Sequence, residues 1–277
     1  MTGIHTAPDF DRLAELSKSL RRDVLTMTSE AGSGHPTSSM SAVEVMASLY
    51  FGGIMKYDAK NPKMPDRDRF ILSKGHASPI LYAVLAEAGY IQKDQLNTLR
   101  RIDSPLEGHP NMLRVPGVEA STGSLGQGLS MGLGHALNAK LDNLDYNVFV
   151  MMGDGEIQEG QVWEAAMAAA NFGVSNLVAI VDLNGYQQTA PVTKVTDPST
   201  YADKWRAFGW HTVEIDGHDL KETHAALAAA ADYSNGPAAI IAHTKKGKGV
   251  SFLEEDFSWH GRGVPKDRLA EALEEIG

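Results

Sequence analysis

Short apolar runs that alternate with helix-length segments are the feature that most constrains how this 277-residue chain folds. Apolar runs of strand length lie within Asn147 to Met152 and Leu177 to Val181, as expected for strands that are buried on both faces. Further candidate strands are Arg69 to Leu72, His211 to Ile215 and Ala238 to Ala242. Strands that alternate with helices form βαβ units, so we predict an α/β fold with a parallel sheet flanked by helices.

Helices are predicted where apolar residues recur every three or four positions. An amphipathic helix is expected from Phe10 to Thr28 and a second from Ser38 to Phe51, separated by a Gly- and Pro-containing break. The other predicted helices are Ala77 to Ala88, a segment that the Gly123–Gly128 turn opens and that runs to about Leu141, Val162 to Asn171, Lys204 to Phe208, Leu220 to Ala231 and Asp267 to Ile276. Because the chain has no internal repeat or low-complexity linker, we expect a single domain over residues 1–277, with an N-terminal helical segment at about 9–30.

The composition excludes several classes of function. The chain carries 25 Lys and Arg against 35 Asp and Glu, a net charge of −10, which argues against non-specific nucleic-acid binding and anionic membrane surfaces. It has no cysteine, so disulfides, thiolate nucleophiles and Cys-based zinc or iron–sulfur sites are excluded. No apolar run approaches the ~20 residues of a membrane-spanning helix, and the first nine residues lack a signal-peptide pattern. We therefore expect a cytoplasmic protein with neither nucleic-acid nor membrane partners.

Two polar side chains directly follow the two most apolar strands. Asp154 lies between Gly153 and Gly155, and Asn184 follows the next strand. Ligands bind outside the carboxyl ends of the strands in an open parallel sheet. Mg²⁺ prefers oxygen ligands and usually completes its octahedron with substrate phosphate and water. The pair therefore suggests a magnesium-bound di- or triphosphate; the alternative is that both residues only form turns.

A glycine-rich loop, Gly123–Gly128, enters a predicted helix. Such loops cradle ligands through backbone N–H groups, although small residues also serve close packing of a helix on a sheet. The loop is not a Walker A motif, because no Gly-Lys-Ser/Thr follows it. It is also a poor dinucleotide-binding fingerprint, because it does not sit at the first βα turn.

The placement of the histidines is unusual in this sequence. Four of the ten histidines, namely His35, His76, His109 and His260, sit at glycine-flanked breaks. They could donate hydrogen bonds to phosphate or sugar hydroxyls, or move protons near neutral pH. A single loop histidine is usually only solvated, and the spacing of the four does not support zinc. The remaining six are predicted to be structural or at the surface: His5, His135, His211, His218, His224 and His243.

The ordered set of motifs resembles the N-terminal half of transketolases. The matching motifs, in chain order, are Gly34-His35-Pro36, Ser73–His76, Gly108-His109-Pro110, Ser121–Gly128, Gly153-Asp154-Gly155 with Glu159-Gly160, Asp182-Leu183-Asn184, Asp216–Asp219 and Thr244–Gly249. Each motif alone is weak evidence for this resemblance, but the ordered series along nearly the whole chain is specific for it. Acetolactate synthases and pyruvate dehydrogenase subunits share the Gly-Asp-Gly…Asn element without this histidine series.

The resemblance implies a thiamine diphosphate-binding fold that holds thiamine diphosphate through Mg²⁺. It implies that Asp154 and Asn184 ligate the metal and that Tyr186, where the family often has Ile, adds a backbone carbonyl. The other residues of the implied cofactor site are Gly155, His76 and His260 at the diphosphate, and Gly123 and Leu125 at the aminopyrimidine. Ser124 replaces a common Pro in that loop.

The same resemblance assigns catalytic roles. It implies that His35 and His260 handle substrate protons and that His109 contacts the donor hydroxyl. Glu159 resembles a glutamate of the cofactor-site motif that meets its counterpart across the subunit interface; alternatively it is a surface carboxylate at a helix start. The implied reaction transfers a two-carbon ketol unit from a ketose phosphate to an aldose phosphate, as in the pentose phosphate pathway.

Complete transketolases are more than twice as long, and their second half supplies an activating glutamate and the basic residues that hold the sugar phosphate. The resemblance therefore implies an enzyme that is inactive without a separate C-terminal subunit, as an α₂β₂ heterotetramer. Three alternatives remain. One is a specialised transketolase for a branched, deoxy or sulfonated sugar. Another is a synthase of 1-deoxyxylulose 5-phosphate, against which its usual single-chain form and the histidine series argue. The third is a non-catalytic binding or regulatory subunit, against which Asp154, Asn184 and the four histidines speak.

Overall fold

The computed structural model describes residues 8–277, and its centre is one parallel five-stranded sheet with the strand order β1-β2-β3-β5-β4. The strands are β1 (Arg69–Leu72), β2 (Val148–Gly153), β3 (Leu177–Leu183), β4 (His211–Asp216) and β5 (Ala238–His243). The predicted α/β class and parallel sheet are confirmed. Each predicted strand is present, and β2 to β5 extend one or two residues further at their carboxyl ends.

Helices surround the sheet and connect its strands. They are α1 (Phe10–Ala31), α2 (Pro36–Met40), α3 (Val43–Phe51), α4 (Ser78–Glu87), α5 (Gln127–Asp142), α6 (Gly160–Asn171), α7 (Tyr201–Ala207), α8 (Leu220–Asp232) and α9 (Lys266–Ile276). Short 3₁₀ turns lie at Gly75–Ala77, Lys93–Thr98, Glu156–Gln158, Val192–Lys194, Pro198–Thr200 and Phe257–Trp259. Within residues 8–277, no helix combines the length and the apolarity needed to span a membrane.

Alternating side chains of the central strands fill two separate cores. Phe149 and Met151 of β2 pack on one face, with residues of α1, α3, α4, α8 and α9. Val150 and Met152 pack on the other face, with residues of α5, α6 and α7. Both faces of the sheet are therefore covered by helices, which explains why β2 reads as a continuous apolar run rather than an alternating one.

The prediction of one continuous helix from Ser38 to Phe51 is wrong, because the structure has two helices that are separated at Ser41 and Ala42. Carbonyls at the end of α2 are used by other parts of the chain. The Lys74 ammonium donates to the Ser38 carbonyl (2.7 Å) and the Gly247 N–H donates to the Thr37 carbonyl (3.0 Å). The Ala42 N–H donates to the Ser39 carbonyl (3.2 Å) rather than to the Ser38 carbonyl that a continuous helix would use.

Candidate active site

A cleft of about 530 Å³ opens at the carboxyl ends of the strands, where ligands bind in parallel sheets. The structure brings together in its lining every residue that the sequence singled out for the site: His35, His76, His109, Gly123, Leu125, Asp154, Gly155, Glu159, Asn184, Tyr186 and His260. Other lining residues carry chemistry that the sequence reasoning did not assign, among them Ser38, Lys74, Glu156 and Lys246. Of the six histidines set aside, His5 lies outside the described residues.

Asp154 is a buried carboxylate at the end of β2 and is 1% exposed. Its Oδ1 accepts from the Gly155 N–H (2.8 Å) and its Oδ2 from the Gly185 N–H (2.6 Å). Burial, together with the nearby charge of Asp182, raises the pKa of Asp154 to about 7. A bound cation would stabilise the charged form of such a carboxylate.

Asn184 at the end of β3 is also buried. Its Oδ1 accepts from the Tyr186 N–H (3.2 Å) and its Nδ2 donates to Asp182 Oδ2 (2.9 Å). The amide is therefore oriented, with its oxygen on the side of the Asn184–Tyr186 turn. Asp154 and Asn184, which follow from the ends of two neighbouring strands, thus line the same cleft.

Lys74 and Lys246 place two buried ammonium groups in this cleft, although the chain as a whole is acidic. Lys74 pairs with Asp182. The Lys246 Nζ atom lies 3.0 Å from Ser38 Oγ and 3.1 Å from His260 Nδ1. Burial and the charge of Lys74 lower the pKa of Lys246 to about 8. Because Lys74 is paired with Asp182, Lys246 is the cation that we expect to face an anionic ligand in a cleft that also holds carboxylates such as Asp154.

His35, His76 and His260 form a cluster, with ring centroids 5.0–5.3 Å apart. Burial is the main reason that their pKa values are lowered, to about 4 for His35, to about 3 for His260 and well below the ordinary value for His76. Lys246 contributes to each shift. All three rings are neutral at pH 7, and among residues 8–277 the buried His35 Nδ1 has no hydrogen-bond partner.

The glycine-rich loop is tied to the turn after β2 by Glu156. This buried carboxylate accepts from the Gly126 N–H (2.9 Å), the Gly153 N–H (3.0 Å) and the Ser73 hydroxyl. Gly126 has φ +83°, a left-handed conformation that starts α5 and that favours glycine. A Cβ on Gly123 would lie 2.8 Å from His109 Cδ2, so the absence of a side chain lets the loop approach the histidine.

Leu125 and Glu159 lie at the rim of the cleft. Leu125 is 36% exposed and offers an apolar surface there. Glu159 is exposed at the start of α6 and packs against Gly126. A Cβ added to Gly126 would lie 2.7 Å from the Cβ of Glu159.

The donor set fits a magnesium-bound diphosphate. Within the described part of the chain no group of three or more His, Cys, Asp or Glu could hold a metal ion, and the predicted set has one carboxylate. Mg²⁺ sites of one or two carboxylates rely on phosphate oxygens and water for the other positions. The raised pKa of Asp154, the two buried lysines and the unpartnered nitrogen of His35 are the features that suit a cation bound together with an anion.

The sequence and the structure were compared with known proteins. The family model described as "Transketolase, thiamine diphosphate binding domain" matches residues 13–277. Transketolase of Mus musculus is 44% identical over 280 residues, which cover 100% of this chain and 44% of the relative. The "6-deoxy-6-sulfo-D-fructose transketolase subunit SqwG" of Clostridium sp. (strain MSTE9) is 40% identical over 257 residues, 93% of each chain.

Solved structures agree with these relatives. Transketolase from Campylobacter jejuni superposes with a TM-score of 0.90 and 30% identity, over 96% of this chain and 43% of that one. The chain therefore spans less than half the length of the transketolases that it matches, but nearly the whole length of the Clostridium subunit.

Proposed function

Because this chain belongs to the transketolase family, in the part described as the thiamine diphosphate binding domain, we propose that it is the cofactor-binding component of a Mg²⁺-dependent transketolase. The proposed reaction transfers a two-carbon ketol unit from a ketose phosphate to an aldose phosphate, within cytoplasmic carbohydrate metabolism. The observation that carries the proposal is the cleft itself, in which oxygen ligands, two buried ammonium groups and neutral histidines line one space.

Thiamine diphosphate, when bound, supplies the electron sink for making and breaking the carbon–carbon bond. The residues proposed to hold Mg²⁺ are Asp154, Asn184 and the carbonyl of Tyr186. Those proposed for the diphosphate are Gly155, His76, His260 and Lys246, and those for the aminopyrimidine are Gly123 and Leu125. Lys246 joins this set because its buried ammonium lies 3.1 Å from His260 Nδ1.

The histidines are suited to move substrate protons because they are uncharged. His260 accepts from Lys246 at Nδ1, so its neutral ring carries the proton on Nε2 and can donate there. The neutral ring of His35 lines the cleft and can accept a proton from a substrate there. We assign proton transfer to these two residues, and contact with the donor hydroxyl to His109, which lines the cleft beside Gly123.

We further propose that a separate C-terminal subunit completes the enzyme, in an α₂β₂ assembly in which Glu159 meets its counterpart. The support is that the Clostridium relative is named a subunit and matches over 93% of its own length. The exposure of Glu159 at the start of α6 leaves it accessible to a second copy.

The same relative favours a second candidate substrate class. Its name assigns it to 6-deoxy-6-sulfo-D-fructose, so a transketolase that acts on a sulfonated sugar is the alternative. The residues that choose between a sugar phosphate and a sulfonated sugar are expected mainly on the partner subunit.

The first test is calorimetric titration of the full chain with thiamine diphosphate, with Mg²⁺ and with EDTA. We expect binding that requires Mg²⁺ and is lost in Asp154→Asn.

The second test is affinity purification from the source lysate, followed by turnover assays with sugar phosphates and sulfonated sugars. Activity that requires a co-purified partner and falls in His35→Gln supports catalysis. Cofactor binding with no turnover in the partner complex would instead indicate a binding subunit.

A further inference from the structure

We propose that His218, which lies outside the cleft, is a positioning residue that holds the turn carrying Lys246. The inference rests on the proposed function, because it concerns how the cofactor site is kept in shape. From the sequence, His218 is expected to be a structural or surface histidine. Its ring is structural, as part of a chain of partly buried hydrogen bonds that ends at the backbone of Lys245.

Both nitrogens of the His218 ring have partners that determine its tautomer. Nε2 lies 2.8 Å from the Lys245 amide, which can only donate a hydrogen bond, so this nitrogen must be unprotonated. Nδ1 lies 2.9 Å from Glu44 Oε2, so the ring proton sits there and is donated to the carboxylate. The neutral ring therefore connects α3, which carries Glu44, with the turn after β5.

Arg21 of α1 completes the arrangement. Its guanidinium contacts both oxygens of Glu44, at 2.6 and 2.8 Å, and its Nε donates to the Lys248 carbonyl at 3.0 Å. Burial opposes the charge of Glu44, but Arg21 and His218 outweigh it and lower the pKa of Glu44 to about 2. Arg21 and Glu44 thus form a buried, charged pair, which we call the anchor. Arg21 holds the turn at Lys248, and His218 holds it at Lys245.

The anchor determines the direction of Lys246. The backbone is held at Lys245 by His218, at Gly247 by the Thr37 carbonyl (3.0 Å) and at Lys248 by Arg21, and the Lys246 carbonyl accepts from the Glu255 N–H (3.0 Å). Lys246 lies between these points, and its side chain is directed inward to Ser38 and His260. The neighbouring Lys245 side chain is more exposed and pairs with Glu254 (3.1 Å). A turn released at one end would let the Lys246 ammonium leave its buried position for water.

The test uses His218→Leu in the full chain, with His218→Gln as the conservative variant and His224→Leu as the matched control. Gln can place an amide oxygen where Nε2 accepts from Lys245. His224 is another half-buried ring with one backbone partner, the Gly52 carbonyl (3.0 Å), and it does not contact the turn. Hydrogen exchange of the peptides over residues 244–250 is measured first. We expect faster exchange there in His218→Leu, and wild-type exchange in the other two variants.

Calorimetric titration with thiamine diphosphate and Mg²⁺ then tests whether His218 acts through Lys246. We expect His218→Leu to raise the dissociation constant about tenfold, the size of one lost charge-assisted hydrogen bond. Lys246→Met should raise it by at least as much. In the Lys246→Met background, His218→Leu should add no further loss, because the group that it positions is absent.

Two results would overturn the inference: unchanged exchange over residues 244–250 in His218→Leu, or additive losses in the double variant. A wild-type chain that does not bind thiamine diphosphate would contradict the proposed function instead. In that case the exchange rates would still decide whether His218 holds the turn.

Discussion

The Nζ atom of Lys74 lies 2.5 Å from Oδ2 of Asp182, and both side chains are only 1% exposed. Burial opposes the charge of Asp182, but Lys74 and hydrogen bonds from Ser41 and Thr244 outweigh it and lower its pKa. Lys74→Met would leave this carboxylate buried without its paired cation. We expect it to lower the free energy of unfolding by about 3–5 kcal/mol, measured by urea denaturation.

Lys18→Met is the control for this experiment. Lys18 pairs with Glu15 at 2.8 Å, but the side chains are 46% and 74% exposed. An exposed pair contributes about 0–1 kcal/mol. Equal losses for the two variants would show that the Lys74–Asp182 pair does not stabilise this end of the sheet.

Glu156→Ala tests the link between the glycine-rich loop and the turn after β2. The substitution removes the acceptor of the Gly126 and Gly153 N–H groups. A buried donor that loses its acceptor costs about 1–3 kcal/mol, so we expect a loss of roughly 2 kcal/mol or more in urea denaturation. The exposed Glu164 of α6 provides the control, since Glu164→Ala should change stability by at most ~0.5 kcal/mol. A loss no larger than in that control would contradict the assigned role of Glu156.

The sheet and most helices could be predicted because their signals are local. Apolar runs such as that of β2 are visible in the sequence, and so are the polar residues that end them, such as Asp154 and Asn184. The break between α2 and α3 could not be predicted, because it depends on Lys74 and Gly247, which are remote in sequence and take the carbonyls of α2.

The candidate site was predictable where a motif marks it and not where burial defines it. Lys74 and Lys246 lie inside the motifs Ser73–His76 and Thr244–Gly249. A lysine in a sequence is nevertheless expected at the surface. Only the fold shows that both are 1% exposed in the cleft. The role proposed for His218 was missed for the same reason, because its partners lie on α3 and on the turn after β5.

The histidine cluster predicts how stability depends on pH. The pKa of His35 is about 4 in the folded chain against 6.5 ordinarily, mainly because the ring is buried. Between these values the unfolded chain binds more protons, so the free energy of unfolding falls as the pH drops from 6.5 to 4. His35→Gln removes one of these groups, and its urea-denaturation midpoint should fall less than that of the wild type between pH 7 and pH 5.

The range from pH 8 to pH 9 is the internal control for His35. The ring is then neutral in both the folded and the unfolded chain, so any stability difference between wild type and His35→Gln should be constant. Parallel midpoints down to pH 5 would mean that the buried ring titrates like a solvated one.

Asp154 predicts that the binding of magnesium and thiamine diphosphate also weakens as the pH falls. Its pKa of about 7, raised by burial and by Asp182, means that the carboxylate is largely protonated below neutral pH. Mg²⁺ requires the ionised form, so binding releases a proton. We expect the affinity for thiamine diphosphate with Mg²⁺ to fall from pH 7.5 to pH 5.5, approaching about tenfold per pH unit at the acidic end.

Calorimetric titration of Asp154→Asn across the same pH range checks this assignment. The amide cannot ionise, so the variant should bind at least ~100-fold more weakly at pH 7.5, because it lacks a ligand of the proposed metal site. Asp203→Asn on the exposed face of α7 is the matched control and should keep both the affinity and its pH dependence. A variant that retained Mg²⁺-dependent binding would remove Asp154 from the metal site, since no other carboxylate of the cleft is proposed as a ligand. A wild-type affinity independent of pH, with binding lost in the variant, would keep Asp154 as a ligand but place its pKa in the folded chain below pH 5.5.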